Sequence, residues 1–157
     1  MKVMRRFWLG YFVAVALYMA GSVAMAFGPA VEARFWPVRL DQSVHHVERL
    51  ADRLCWNWAG VKVRPLASDD LDVYVHVDRF PDRLVSAVYN AATGMPWRAS
   101  AAPPPGPSDV RYCTTLPPHI LPSDQVRVEW RAWYPGWLGL WRFSVDMPEV
   151  VSPGLAP

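Results

Sequence analysis

From Phe7 to Phe27 the chain carries no charge, and no polar face interrupts the apolar residues. As a helix rising about 1.5 Å per residue, this run crosses a hydrocarbon core of about 30 Å. Beyond it the pattern changes twice. Leu40, Val44, Val47, Ala51 and Leu54 recur at spacings of four and three. That stripe predicts a short amphipathic helix over 41–53, capped by Asp41 or Ser43. From Cys55 the period becomes two. Trp56 and Trp58 share one face of a predicted strand, with Gly60 as a bulge or bend. Leu71, Val73, Val75 and Val77 alternate with Asp72, Tyr74, His76 and Asp78. Further strands are predicted over Leu84–Asn90, Met95–Arg98 and Val110–Thr115. Val126, Val128, Trp130, Ala132 and Tyr134 then alternate with Arg127, Glu129, Arg131 and Trp133, and a strand returns over Trp137–Asp146.

Proline and glycine punctuate these elements. Pro37 argues against a helix running unbroken through 28–40, which reads as a linker. Pro65 ends the first strand, and Ala91–Gly94 forms a hairpin loop. Ser100–Ser108 is a stiff, proline-rich loop. Tyr134-Pro135-Gly136-Trp137 matches a type II turn. The organisation is a basic tail (1–6), a span (7–27), a linker (28–40), a β-rich domain (41–151) and a disordered tail (152–157).

About seven short strands with Pro/Gly turns predict a mainly β protein: a small antiparallel β-sandwich behind an N-terminal helix. Trp56, Trp58, Trp130, Trp141 and Phe143 are the expected core. Asp109-Val-Arg-Tyr-Cys113 is similar to the Asp…Tyr-x-Cys end of immunoglobulin-like domains. Here Tyr112 abuts Cys113, and no Trp follows Cys55 by a dozen residues, so the resemblance is one of architecture.

Charge changes the picture in one respect. The formal net charge is +2. Lys2, Arg5 and Arg6 precede the span, and without them the other 13 basic and 14 acidic residues come to about −1. The basicity is therefore a topology signal, not a nucleic-acid footprint. Positive charge stays cytoplasmic, which predicts a single-pass protein of the inner (cytoplasmic) membrane with its C-terminal domain periplasmic or extracellular. We read the span as an uncleaved signal-anchor. The alternative is secretion after cleavage following Ala26, at the small-x-small site Ala24-Met25-Ala26. Cys55 and Cys113 are the only cysteines, and in an oxidising compartment such a pair forms a disulfide.

Candidate chemistry is sparse. His45 and Glu48 share a face of the predicted helix, but a metal needs two further ligands, and only His76 and His119 remain. Asp69-Asp70-x-Asp72 lacks the Gly and Glu of a calcium loop, which fall at Tyr74 and Phe80. No metal and no cofactor is expected. Gly-x-Ser-x-Gly, His-Glu-x-x-His, Ser-x-x-Lys and a Gly-rich phosphate loop are all absent from the sequence. Two functions remain. The first is a non-catalytic, membrane-tethered interaction or assembly module of the cell envelope, with a protein partner there and no nucleic acid. The second is a small envelope hydrolase using His76, Asp72 and Asp78. For the first, the candidate surface is Trp133, Trp137, Arg127 and Arg131, because exposed Trp near Arg is the composition of interface hot spots. The competing reading of Trp133 is that it packs beneath the proline-rich stretch 102–107.

Overall fold

A computed structural model of the protein describes residues 2–97 and 104–152, with backbone alone for 2–6. Helix α1 covers Lys2–Phe35. Nine strands follow: β1 Arg39–Arg49, β2 Arg53–Lys62, β3 Asp70–Val77, β4 Leu84–Val85, β5 Val88–Asn90, β6 Gly106–Thr115, β7 Val126–Pro135, β8 Arg142–Asp146 and β9 Val150–Ser152. The protein is mainly β, with one long apolar helix, two antiparallel sheets and one disulfide.

The apolar segment of α1, Phe7–Phe35, is long enough to cross a membrane. It passes through Ala24–Ala26 without a break and continues past Phe27 to Phe35, with Pro29 inside it. Residues 28–35 are therefore helix and not linker. Pro29 gives up one backbone bond, but the turn it opens is held by packing onto the β-domain. Pro37, the proline expected to stop the helix, does so two residues after its end.

Sheet A has the order β1-β2-β6-β5, and sheet B the order β4-β3-β7-β8, with β9 pairing the free end of β7. Alternation orients most strands as the sequence implies. Val73, Val75 and Val77 of β3, Val126, Val128, Trp130, Ala132 and Tyr134 of β7, and Leu54, Trp56 and Trp58 of β2 are all buried. These inner faces share one core, in which the Trp56 and Trp130 rings meet edge to face at 5.4 Å. A fully buried Trp removes about 150–250 Å² from water, of order 4 kcal/mol each at the usual area coefficient. Phe143 joins this core, but Trp141 does not.

The helix expected over 41–53 is a strand. β1 carries two bulges against β2, between Leu40 and Ser43 and between His45 and Glu48. Asp41 and His46 take positive φ there, 49° and 50°. Each bulge adds one residue to the two-residue repeat. The residues facing the inward positions Lys62, Trp58 and Leu54 are consequently Arg39, Val44 and Arg49. The inward residues of a strand interrupted in this way fall five apart, so the apolar stripe at spacings of four and three does not mark its buried face. Leu40 and Val47, two members of the expected stripe, lie exposed. Gly60 is not itself bulged but lies in regular register with Ser108 of β6, opposite the first β1 bulge.

Three other expectations change. Leu84–Asn90 is not one strand. The chain leaves β3 at Ser86, whose amide donates to Val73 O at 3.1 Å, and joins β6 at Val88 in the other sheet. Buried Thr114 holds the crossover: its hydroxyl lies 2.8 Å from Ser86 Oγ and donates to Ala87 O at 2.9 Å. The type II turn at Pro135-Gly136 is absent, because Gly136 has φ −79° and ψ −172° and starts a 3-10 turn over Trp137–Gly139. β8 accordingly begins only at Arg142. β6 reaches back to Gly106 and includes Pro107, at a point where β5 no longer covers its other edge. Pro96 bridges Tyr89, as the hairpin requires. Arg98, residues 100–103 of the proline-rich loop and the tail beyond Ser152 lie outside the described residues.

Cys55 and Cys113 are bonded, with their Cα atoms 4.0 Å apart, directly opposite one another on β2 and β6. The cystine thus joins neighbours within sheet A, whereas the immunoglobulin-like pattern places it between the sheets.

Candidate functional site

The last two turns of α1 are built into the β-domain. Glu32 projects from the helix and is only 5% exposed. Its Oε1 accepts from Arg64 Nη2 at 2.7 Å. Its Oε2 accepts from the Trp137 amide and from Trp141 Nε1, both at 2.9 Å. Arg64 also donates to Trp36 O at 2.8 Å, closing the helix C-terminus. Three donors and one opposite charge thus compensate a carboxylate removed from water.

Glycines make room for this contact. A Cβ on Gly28 would lie 2.9 Å from the Trp141 ring, and one on Gly136 only 2.2 Å from it. The indole is held between the helix and the β7–β8 turn. Beside it opens a cavity of about 490 Å³, lined by Val31, Glu32, Trp36, Trp137 and Trp141 among others. Of its lining residues, Trp36 and Trp137 are exposed, Trp137 to 62%, and so are Phe35, Leu138 and Leu140 beside them in sequence.

The four residues of the expected surface do not form one patch. Arg127, Arg131 and Trp133 lie on the outer face of β7, where each is engaged. Arg127 pairs with Glu149 at 2.9 Å and Arg131 with Asp146 at 2.5 Å. Trp133 Nε1 donates to Asp72 at 2.6 Å, with the Arg142 guanidinium 5.5 Å over its ring. Trp137 is set apart from them, at the helix junction. Of the loop proposed to cover Trp133, residues 102 and 103 lie outside the described residues.

The remaining candidates have separate partners. His45 lies 3.5 Å from Asp109, while Glu48 pairs with Arg111. His76 Nε2 is 3.3 Å from Glu129, without hydrogen-bond alignment, and Asp72 is taken by Trp133. Asp69 and Asp70 both face Arg142. Among the described residues no group of three or more His, Cys, Asp or Glu is placed to hold a metal.

Two groups were missed in the sequence. Glu32 is the first acid after the span, in a stretch that looked like a linker. An ionisable group on an apolar helix near its end, here Glu32 with Arg34 two residues on, is a reason to look for its partner. Lys62 alternates with Trp56 and Trp58 and so falls on the inward face, where a charge demands explanation. Compared with protein families, curated proteins and solved structures, the chain shows no match to any of them.

Proposed function

We propose that this protein is a non-catalytic, membrane-tethered interaction module, anchored in the inner membrane with its β-domain outside the cytoplasm. The disulfide and the N-terminal Lys2, Arg5 and Arg6 support that orientation. The unbroken helix through Ala24–Ala26 favours an uncleaved anchor, since cutting there requires unwinding it. The two sheets around one core support reading the domain as a small sandwich.

The observation that carries the reading is the Glu32 clamp. A domain on a slack linker samples all orientations, whereas this one is fixed to its span. Fixed orientation is of little use against diffusing substrates. It lowers the orientational cost of meeting a partner in the same membrane. The exposed Trp36, Trp137, Leu138 and Leu140 suit the interfacial zone, where amphipathic rings settle. The outer face of sheet B, with Arg127, Arg131 and Trp133, is then presented laterally to a protein partner.

The test uses the full-length chain in its own membrane. A C-terminal reporter that works only outside the cytoplasm should be active. A photo-crosslinker at Arg127 should capture a membrane protein, and Glu32→Ala should reduce that capture while the cystine still forms. A reporter active only in the cytoplasm, or capture indifferent to Glu32, overturns the reading.

A further inference from the structure

We propose that the cavity between the end of α1 and the β7–β8 turn binds the zwitterionic headgroup of an ethanolamine phospholipid. The proposal rests on reading α1 as a membrane anchor, because that reading sets the depth of the cavity. Arg6 and Glu32 are the charged residues that bracket the apolar run. With Arg6 held at the cytoplasmic surface, the helix from Phe7 to Phe27 rises about 30 Å and spans the hydrocarbon core. Gly28, Val31 and Glu32 then stand about 2–8 Å beyond it, in the headgroup layer. All three line the cavity of about 490 Å³, together with Trp36, Trp137 and Trp141. At that depth the surrounding molecules present their headgroups.

The lining selects among headgroups. Of the aromatic side chains, indole attracts a cation most strongly, and three indoles line this one cavity. Trp36 and Trp137 are exposed and so open to a ligand. Trp141 is fixed by its bond to Glu32 and by the close approach of Gly28 and Gly136. Beside them stands a carboxylate only 5% exposed. Glu32 Oε2 accepts from the Trp137 amide and from Trp141 Nε1, whereas Oε1 accepts from Arg64 alone among the described residues. A carboxylate oxygen has two lone pairs, so Oε1 retains one for an ammonium N–H. Arg64 also lines the cavity. It donates to Glu32 and to Trp36 O and keeps further N–H groups for a phosphodiester oxygen. Carboxylate and guanidinium lie 2.7 Å apart, and a zwitterion brings the opposite charge to each. A headgroup carrying phosphate alone leaves Glu32 facing a like charge, and a bare amine does the same to Arg64. Complementarity therefore favours ammonium and phosphodiester together.

The test uses the full-length chain in maltoside detergent, which brings neither ammonium nor phosphate. Short-chain phosphatidylethanolamine should raise the melting temperature saturably, and phosphatidylglycerol of the same chain length should bind about tenfold or more weakly. Trp36→Leu keeps an apolar side chain and the carbonyl that Arg64 uses, but loses the indole. Glu32→Gln keeps an acceptor and loses the charge. Each should weaken phosphatidylethanolamine binding about tenfold or more. Trp36 is exposed, so Trp36→Leu carries the test if Glu32→Gln does not fold. Leu138→Ala, at an exposed residue outside the cavity lining, should bind as the parent does. Soluble glycerophosphoethanolamine should bind more weakly than the lipid, and equal binding overturns the lipid as the source. No saturable shift with phosphatidylethanolamine, an equal shift with phosphatidylglycerol, or undiminished binding by Trp36→Leu overturns the proposal. Equal weakening in Leu138→Ala also overturns it, as adsorption to an exposed apolar surface. Alkaline carbonate extraction tests the anchor separately: release of the chain from its membrane overturns the anchor, whereas binding in detergent reports on the ligand alone.

Discussion

Trp141 donates its indole N–H to Glu32 at 2.9 Å, across 109 residues of sequence, and so joins the end of α1 to the turn before β8. Removing the carboxylate strands three donors, including Arg64. Glu32→Ala should therefore cost about 3 kcal/mol, the scale for breaking a buried pair from one side. Glu32→Gln, which can still accept from Trp141, should cost less. Thermal unfolding of the full-length protein in detergent checks both. Equal, negligible effects would mean that the helix and domain are not coupled.

Trp130 and Trp137 of the β7–β8 region differ in role. Trp130 is 2% exposed, and its Nε1 donates to Pro148 O at 2.8 Å. Trp130→Ala should cost about 3–5 kcal/mol. Trp137→Ala should stay within about 0.5 kcal/mol of the parent, as for surface sites. Its effect should appear instead as weaker quenching of the domain by a headgroup-level quencher in vesicles.

Position 46 tests the bulges of β1. With φ at 50°, His46 occupies the left-handed region, which a β-branched residue reaches only at a cost of about 1–2 kcal/mol. His46→Val should destabilise by that order, while His46→Gly should be neutral or better. A helix would give a different order, since glycine inside one costs about 1 kcal/mol. Chemical denaturation of the two variants distinguishes the cases.

The cystine closes a separation of 58 residues. Cys55→Ser or Cys113→Ser should lower stability by about 2–5 kcal/mol. Mass spectrometry of unreduced protein from its native compartment should find the two joined. Free thiols in both would count against an oxidising location.

Lys62 gives a pH dependence of definite sign. Burial first, and then Arg39, hold its pKa below the ordinary 10.5. Between the lowered value and 10.5 the folded protein binds fewer protons than the unfolded chain, so stability rises with pH across that window. Tyr112, raised from 10.0 by burial, acts oppositely above that value, so the measurement belongs below it. The parent should gain stability relative to Lys62→Met as pH approaches 10.0 from neutrality. A parallel pair of curves would show that Lys62 is not held in a charge-averse site.

What the sequence by itself determined is local or unique. The uncharged run from Phe7 marks the helix because length and apolarity suffice. Alternation orients β3 and β7 because a strand has only two faces. Cys55 had a single possible partner. The tertiary structure decided the rest. β1 reads as a helix because the four-and-three spacing of its apolar residues is not the pattern of its inward face: two bulges, at 41–42 and 46–47, turn Arg39, Val44 and Arg49 inward and leave Leu40 and Val47 exposed. Leu84–Asn90 reads as one strand because nothing local records that Ser86 leaves one sheet and Val88 enters the other. The meetings of Glu32 with Trp141, and of Arg39 with Lys62, depend on register and packing between distant segments. Those are set by the sum of contacts across the whole domain, and no short window of residues contains them.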